Sequence, residues 1–227
     1  PVDSRHSGRD LVPNHLTFFV LNHVAIFPEN NWPQQIVVNG SVLMDGKKMS
    51  KSMGNIIPLR QAIRDYGADP IRLAIIISAE LLQDADFNLE SVIGIKNKLT
   101  ALLEECSKLQ SDKILANDAE DKWIASKLQN LIGNISSSIE KMRLREALHD
   151  NLFSFEGDLQ WYLKRAKAKG RDDYGGVLHE INSVRVRMLS PFAPHIAEEM
   201  WENLGNKGLV SEASWPAVSA DIIDPNA

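Results

Sequence analysis

The chain has 227 residues, 44% hydrophobic and 24% charged, which suits one large or two smaller globular domains and excludes disorder throughout. A formal net charge of -5 excludes a globally basic nucleic-acid binder and leaves room only for local basic patches. The single cysteine, Cys106, excludes a disulfide framework or multi-cysteine zinc site within one chain and points to a reduced, cytoplasmic compartment. No apolar run approaches the roughly 18 residues of a membrane span, so no membrane partner is expected. The opening Pro1-Val2-Asp3-Ser4-Arg5 reads as neither a signal nor a transit peptide, and the missing initiator Met reads as a cut point.

Asp10 can cap a helix starting near Leu11, with Pro13 in its first turn and the apolar series Leu16, Phe18, Phe19, Leu21 and Ile26 behind it; the expectation is a buried helix. A loop rich in Pro and Asn follows, then Ile36-Val37-Val38, a β-branched run that suits a buried parallel strand. A second apolar piece, Val42-Leu43-Met44, leads through the turn Asp45-Gly46 into Lys47-Lys48-Met49-Ser50-Lys51-Ser52-Met53-Gly54-Asn55. Pro58 can open a short helix ending at Gly67, and Asp69-Pro70 gives a second start for a helix over 71–79. From Leu89 the β signal disappears, and spacing predicts helices over 89–110, 118–141, 144–168, 174–190 and 195–204. Ile124, Leu128, Leu131, Ile132, Ile135, Ile139 and Met142 form the clearest stripe. Residues 110–117, 169–173 and 191–194 read as linkers. The fold class is α/β for the first part and an all-α helical bundle for the second.

Three lysines and two serines within six positions can surround a polyphosphate: lysine supplies a mobile point charge, serine a hydroxyl donor, and Gly46 and Gly54 let the backbone approach. A solvated lysine-rich turn has the same composition, which therefore leaves both readings open.

Lys48-Met49-Ser50-Lys51-Ser52 resembles, without substitution, the Lys-Met-Ser-Lys-Ser signature of class I aminoacyl-tRNA synthetases. Ser7-Gly8-Arg9-Asp10 resembles the Gly-x-Asp segment of that class, at the C-terminal edge of a Rossmann strand. Tyr66-Gly67-Ala68-Asp69-Pro70-Ile71-Arg72 is similar to the segment after the signature, and Ser190-Pro191-Phe192-Ala193-Pro194-His195 to a bundle segment of the leucine, isoleucine, valine and methionine branch. Asn14-His15-Leu16-Thr17-Phe18-Phe19, Val38-Asn39-Gly40 and Asp84-Ala85-Asp86-Phe87 are most similar to the archaeal and eukaryotic leucyl-tRNA synthetase family; the methionyl family is similar at Gly-x-Asp, and the valyl and isoleucyl families at Pro-Phe-Ala-Pro-His.

The resemblance implies the second half of a Rossmann-type catalytic domain with its connecting helices (1–88), an anticodon-binding-like helical bundle (89–210) and a tail (211–227). It also implies ATP-dependent activation of leucine to leucyl-adenylate and transfer to tRNA(Leu), with Mg²⁺ bound with ATP. Lys48 and Lys51 are implied to stabilise phosphate charge, with Lys51 foremost. Met49, Ser50 and Ser52 would complete the ATP contacts, Met49 and Ser50 through backbone, and Gly8 would give room for a ribose whose hydroxyls donate to Asp10. A plain helix cap is the other reading of Asp10. His15 and His23 read as structural, and Asp84 and Asp86 as a solvated turn and cap at a helix mouth, with no chemistry. No metal site of the protein's own is expected.

Lys164, Arg165, Lys167, Lys169 and Arg171 are the densest basic run; Lys164, Arg165 and Lys167 are candidate RNA contacts, and a dipole-matched helix end is the alternative. Trp123, Trp161 and Trp201 read as bundle core, and Trp215 as packing. The His-Ile-Gly-His signature of the class is not in the sequence, and the expected editing domain and C-terminal extension lie outside it. The chain alone is therefore expected to be inactive in adenylation and to depend on the missing parts of the same polypeptide. A freestanding tRNA-binding module descended from a synthetase is the alternative.

Overall fold

A computed structural model describes residues 3–50, 52, 54–109, 118–172 and 174–224. Lys51, part of the linker 169–173, and the whole of the linker 110–117 lie outside the described residues.

The first strand, β1 (Ser4–Gly8), pairs in parallel with β2 (Gln35–Asn39), in register from Ser4 opposite Gln35 to Gly8 opposite Asn39. The connection is a helical stretch: a 3-10 turn at Arg9–Leu11, a π-type turn at Val12–Leu16, and helix α1 (Thr17–Ile26). Two expectations change here. The Asp10 side chain makes no capping hydrogen bond, because the chain turns through 3-10 and π geometry before the α-helix begins. Nor is α1 buried: Leu16 is covered, but Phe18, Leu21 and Ile26 are 64%, 57% and 69% exposed. Its apolar residues lie all round rather than in one stripe, and most of them stay exposed. In β2 only Val37 is buried.

A second sheet has the order β4-β3-β5. Strand β3 (Val42–Met44) turns through Asp45 and Gly46, both with positive φ (51° and 72°), into β4 (Lys47–Lys48). That is the mirror-image turn which an Asp-Gly pair favours and which matches strand twist. The first two lysines of the run are thus strand residues rather than loop. Gly40, between β2 and β3, admits no side chain, since a Cβ there would lie 2.0 Å from the Gln83 carbonyl oxygen. The Asp84-Ala85-Asp86 segment lies at strand β5 (Ala85–Phe87), parallel to β3, and not at a helix mouth. Asn88 supplies the helix cap instead, accepting from the Ser91 N–H.

Helix α2 (Leu59–Tyr66) ends at Gly67 (φ 94°), and α3 (Ala68–Ser78) follows at once. Helices α4 (Leu89–Lys108), α5 (Ala119–Glu140), α8 (Gly175–Leu189) and α9 (Pro194–Asn203) fall within a residue or two of their expected spans. The expected single helix over 144–168 is α6 (Leu144–His149) and α7 (Phe155–Ala168) separated by a π-type turn at Asp150–Ser154. That turn is locked to α8: fully buried Arg185 donates through Nε and Nη2 to the Asn151 carbonyl, while Asn151 Nδ2 donates to the Arg185 carbonyl.

The hydrophobic core is continuous from α2 and α3 through β5 into the bundle, reaching Val210. Val92, Ile95, Leu99, Leu102 and Cys106 line α4, and α8 is buried over most of its circumference. Beyond the bundle the chain runs back along α5: Trp215 Nε1 donates to Ser136, the Ser219 N–H to Gln129, and the Asp224 N–H to Ser126. Among the described residues no helix is long and apolar enough to cross a membrane.

Candidate nucleotide and RNA-binding sites

Gly8 is the last residue of β1, and Asp10 follows where the chain leaves the carboxyl end of a parallel strand pair, a place where ligands bind in open α/β sheets. The Asp10 carboxylate folds back over Gly8; a Cβ at residue 8 would lie 2.6 Å from Asp10 Oδ1, so glycine leaves the strand end open. Between them Arg9 points across to β5 and pairs with Asp84 at 2.8 Å. Asp84 also accepts from the Ser41 N–H at 2.7 Å, and that bond, reinforced by Arg9, holds its carboxyl below the ordinary value despite some desolvation. Asp86 accepts from the Gly46 N–H at 2.8 Å and so fixes the Asp-Gly turn. The two aspartates are joints: one ties the Gly8–Asp10 turn to the start of the hairpin, the other ties down the hairpin tip. Sequence spacing alone hides this, because both partners come from elements about 40 residues or more away.

Lys47 and Lys48 are exposed on β4, and among the described residues neither is in an ion pair. Their charge is uncompensated, as a polyphosphate partner needs. Ser50 and Ser52 share a hydroxyl–hydroxyl hydrogen bond of 2.7 Å. Asn55 bridges the segment: its Oδ1 accepts from the Ser50 N–H at 2.9 Å, and its Nδ2 donates to the Lys48 carbonyl at 3.1 Å. The Ser50 amide is therefore already engaged. Met49 lines an apolar cavity of about 230 Å³ together with Met44, Ile57, Leu59 and Phe87, so its side chain anchors the segment from below. Sequence reading missed Asn55; its one signal was an amide side chain just after Gly54.

His15 Nε2 accepts from Arg5, and His23 Nδ1 donates to the Phe19 carbonyl. Among the described residues no group of three or more His, Cys, Asp or Glu could hold a metal ion.

In the bundle the basic run divides. Lys169 pairs with Glu120 at 2.6 Å, and Arg171 with Asp118 and Asp121 at 2.7 and 3.1 Å, so both are tied to the start of α5. Tyr162 donates to Asp121 from within the same cluster, and burial followed by that bond pushes its phenol up. Lys164 and Lys167 are exposed without an ion-pair partner among the described residues, and Arg165 lies over the Trp161 ring, 4.7 Å from its centroid. Trp161 is 40% exposed rather than core; its ring meets Trp123 at 4.2 Å between centroids, and Lys127 covers Trp123. The reason is position: Phe155, Leu159, Tyr162 and Ala166 already occupy the inward stripe of α7. Trp201 and Trp123 pack against the core as partly buried residues, and Trp215 is anchored but 40% exposed.

The Tyr66–Arg72 and Ser190–His195 segments clasp each other. Arg72 donates to the carbonyls of Phe192 and Pro191, while Asp69, 4% exposed, accepts from the Ile196 N–H at 2.7 Å and from His195 Nδ1 at 3.0 Å. Asp69 thus supplies the cap that α9 lacks from its own N-cap residue, Ala193.

A parallel strand pair ending in Gly-x-Asp, a lysine hairpin without an ion pair among the described residues and a helical bundle clasped to it stand together in this chain. Two family models divide the chain between them: tRNA synthetases class I (M) over residues 5–114, and the anticodon-binding domain of tRNA ligase over residues 121–227. The chain belongs to the class I aminoacyl-tRNA synthetases. Within that class its similarity runs to leucine–tRNA ligases: it is 41% identical to leucine–tRNA ligase 2 of Sulfolobus acidocaldarius over 99% of this chain and 24% of the relative. It is 42% identical to the leucine–tRNA ligase of Pyrococcus abyssi over 95% of this chain and 23% of the relative. The chain thus spans about a quarter of the length of these curated relatives. A LeuRS of Agrobacterium radiobacter, solved as a ternary complex with tRNA and LeuAMS, shares the fold with a TM-score of 0.79 at 24% identity, covering 98% of this chain and 29% of that one.

Proposed function

We propose that this chain is the part of a leucine–tRNA ligase that grips the ATP phosphates and presents a helical bundle to tRNA(Leu). The observation that carries the reading is the hairpin β3–β4, which delivers Lys48 without a carboxylate partner among the described residues, beside a segment held by Asn55 and Met49. In the reaction the leucine carboxylate oxygen attacks the α-phosphorus of ATP, the bond to the bridging oxygen breaks, and pyrophosphate leaves with the electron pair. Negative charge grows on the departing phosphates, and Lys48 and Lys51 are the groups assigned to stabilise it. Ser50 and Ser52 offer hydroxyl donors, and backbone groups of Met49 and Ser50 other than the Ser50 amide, which Asn55 holds, are assigned to the adenine side. Gly8 and Asp10 receive the ribose, Asp10 accepting from its hydroxyls. Mg²⁺ would come with ATP on phosphate oxygens; the described residues offer it no cluster of carboxylates, so no step is assigned to it.

Residues 1–88 are then assigned to the nucleotide-binding part, 89–210 to the RNA-facing bundle with Lys164, Arg165 and Lys167 exposed on α7, and 211–227 to a tail tied to α5 through Trp215, Ser219 and Asp224. The rest of the parent polypeptide supplies the other half of the nucleotide site, and the piece alone does not adenylate leucine. The buried lone thiol of Cys106, its pKa pushed up to about 12 chiefly by desolvation, suits the reducing cytoplasm. The test is ATP–pyrophosphate exchange by the full-length parent with Lys48→Ala: loss of one charge-stabilising contact lowers kcat by about a hundredfold. A variant as fast as the parent would sink the assignment of Lys48.

A further inference from the structure

Asn55 lies outside the Lys-Met-Ser-Lys-Ser run, yet it is the residue that closes it. Its carboxamide offers a donor nitrogen and an acceptor oxygen side by side, as a peptide group does, and both atoms are used: Nδ2 donates to the Lys48 carbonyl at 3.1 Å and Oδ1 accepts from the Ser50 N–H at 2.9 Å. The side chain therefore acts as an added strand partner exactly where β4 ends at Lys48 and the backbone ladder with β3 stops, since the last paired residue is Lys48 opposite Leu43. Without it the Lys48 carbonyl and the Ser50 amide would have no protein partner in the described structure, and the chain beyond the hairpin would be free to swing. Asn55 is itself half-buried, following Gly54, whose positive φ of 67° turns the chain back toward Lys48.

We propose that Asn55 is a positioning residue for adenylate formation: by pinning the backbone on both sides of Met49 it fixes where the Lys48 ammonium emerges and keeps Met49 directed to the apolar cavity beneath. It touches no reacting atom; it acts through Lys48. The proposal rests on the ligase reading above. Misplacement of a charge-stabilising group by about 1 Å can cost a hundredfold in rate, so a residue that holds such a group is visible in kcat rather than in substrate affinity.

The experiment uses the full-length parent, comparing wild type, Asn55→Ala and, as a control at an exposed position of α2, Arg60→Ala in leucine-dependent ATP–pyrophosphate exchange. Asn55→Ala is expected to lower kcat by between about tenfold and a hundredfold while the KM for leucine stays within roughly twofold, with Arg60→Ala at the wild-type rate. Hydrogen exchange in the same proteins separates holding from folding: in Asn55→Ala the peptide spanning residues 47–55 exchanges faster while peptides of α3 and α4 do not change. Wild-type exchange with an Asn55→Ala variant equal to it in kcat, or with unchanged hydrogen exchange at 47–55, overturns the role of Asn55 and leaves the ligase reading standing. Absence of pyrophosphate exchange from the wild-type parent overturns the ligase reading, and the role of Asn55 in the reaction falls with it.

Discussion

Asp69 and His195 are 126 residues apart in sequence and 3.0 Å apart in the fold, and the same carboxylate closes the open N-terminus of α9 through the Ile196 N–H. A helix start leaves several backbone donors without partners; here a buried carboxylate from another helix serves one of them and faces the positive end of the helix dipole. Asp69→Ala should therefore destabilise the chain by about 1–2 kcal/mol, read as a lower urea midpoint with an unchanged slope, and Asp69→Asn should lose less because it can still accept. Equal midpoints for Asp69→Ala and wild type would show that the cap is idle. In the sequence Asp69 reads as the start of its own helix, with a proline behind it. That reading is locally sound, and it misses the role because the partner is named only by the fold. Asn55, Asp84 and Asp86 are hidden for the same reason: each bonds a backbone group whose proximity depends on turns and strand pairing, not on spacing along one element.

At the scale of elements, apolar period carries most of what is legible. Four spans of helical spacing place α4, α5, α8 and α9 within a residue or two, because each stripe faces one common core. Periodicity says which residues are apolar but not whether anything covers them, hence the exposed α1. It is also blind to the π-type turn at Asp150–Ser154, which keeps the stripe in phase while inserting an irregular turn held by Arg185. The basic run at the end of α7 is a single patch in sequence and two groups in space. Lys169 and Arg171 are committed to carboxylates on α5, whereas Lys164 and Lys167 point outward unpaired among the described residues. In the full-length parent, Lys164→Ala and Lys167→Ala should each weaken tRNA binding and reduce the salt dependence of log K by about one unit of slope, with no loss of thermal stability. Arg171→Ala should do the reverse. Filter binding over a salt series, beside a melting curve for each variant, checks the division; tRNA affinity unaffected in both lysine variants would return them to solvated helix end.

On the scale of the whole molecule, the strand-bearing first part and the bundle share one core and several polar ties, among them Arg72 to the Phe192 carbonyl, Arg145 to the Ile77 carbonyl, and Glu80 to the Glu146 N–H. Charge also ties helices to one another. Burial raises the Glu156 carboxyl, but hydrogen bonds from Lys98 and Gln160 and the charges of Lys98 and Arg185 outweigh it and hold it below the ordinary 4.5; the Lys169 bond does the same for Glu120. Both groups bind their protons less tightly when folded than when unfolded. The stability they contribute is present above pH 4.5 and is lost as pH falls through their lower folded values. A urea midpoint that is flat from neutral pH down to about 5 and then declines, with a shallower decline in Glu156→Gln, is the expected profile; the same acid limb in the variant would remove Glu156 from the account.

The central claim is that the Lys-Met-Ser-Lys-Ser run, entered from the β3–β4 hairpin, serves leucine activation in the parent protein. The measurement that tests it most directly is ATP–pyrophosphate exchange by the full-length parent with leucine, isoleucine, valine and methionine side by side, and with Lys51→Ala as the comparison. The account predicts exchange with leucine alone, reduced by about two orders of magnitude in the variant. Exchange driven by another amino acid would contradict the leucine assignment, and exchange that survives intact in Lys51→Ala would contradict the role given to the Lys-Met-Ser-Lys-Ser run.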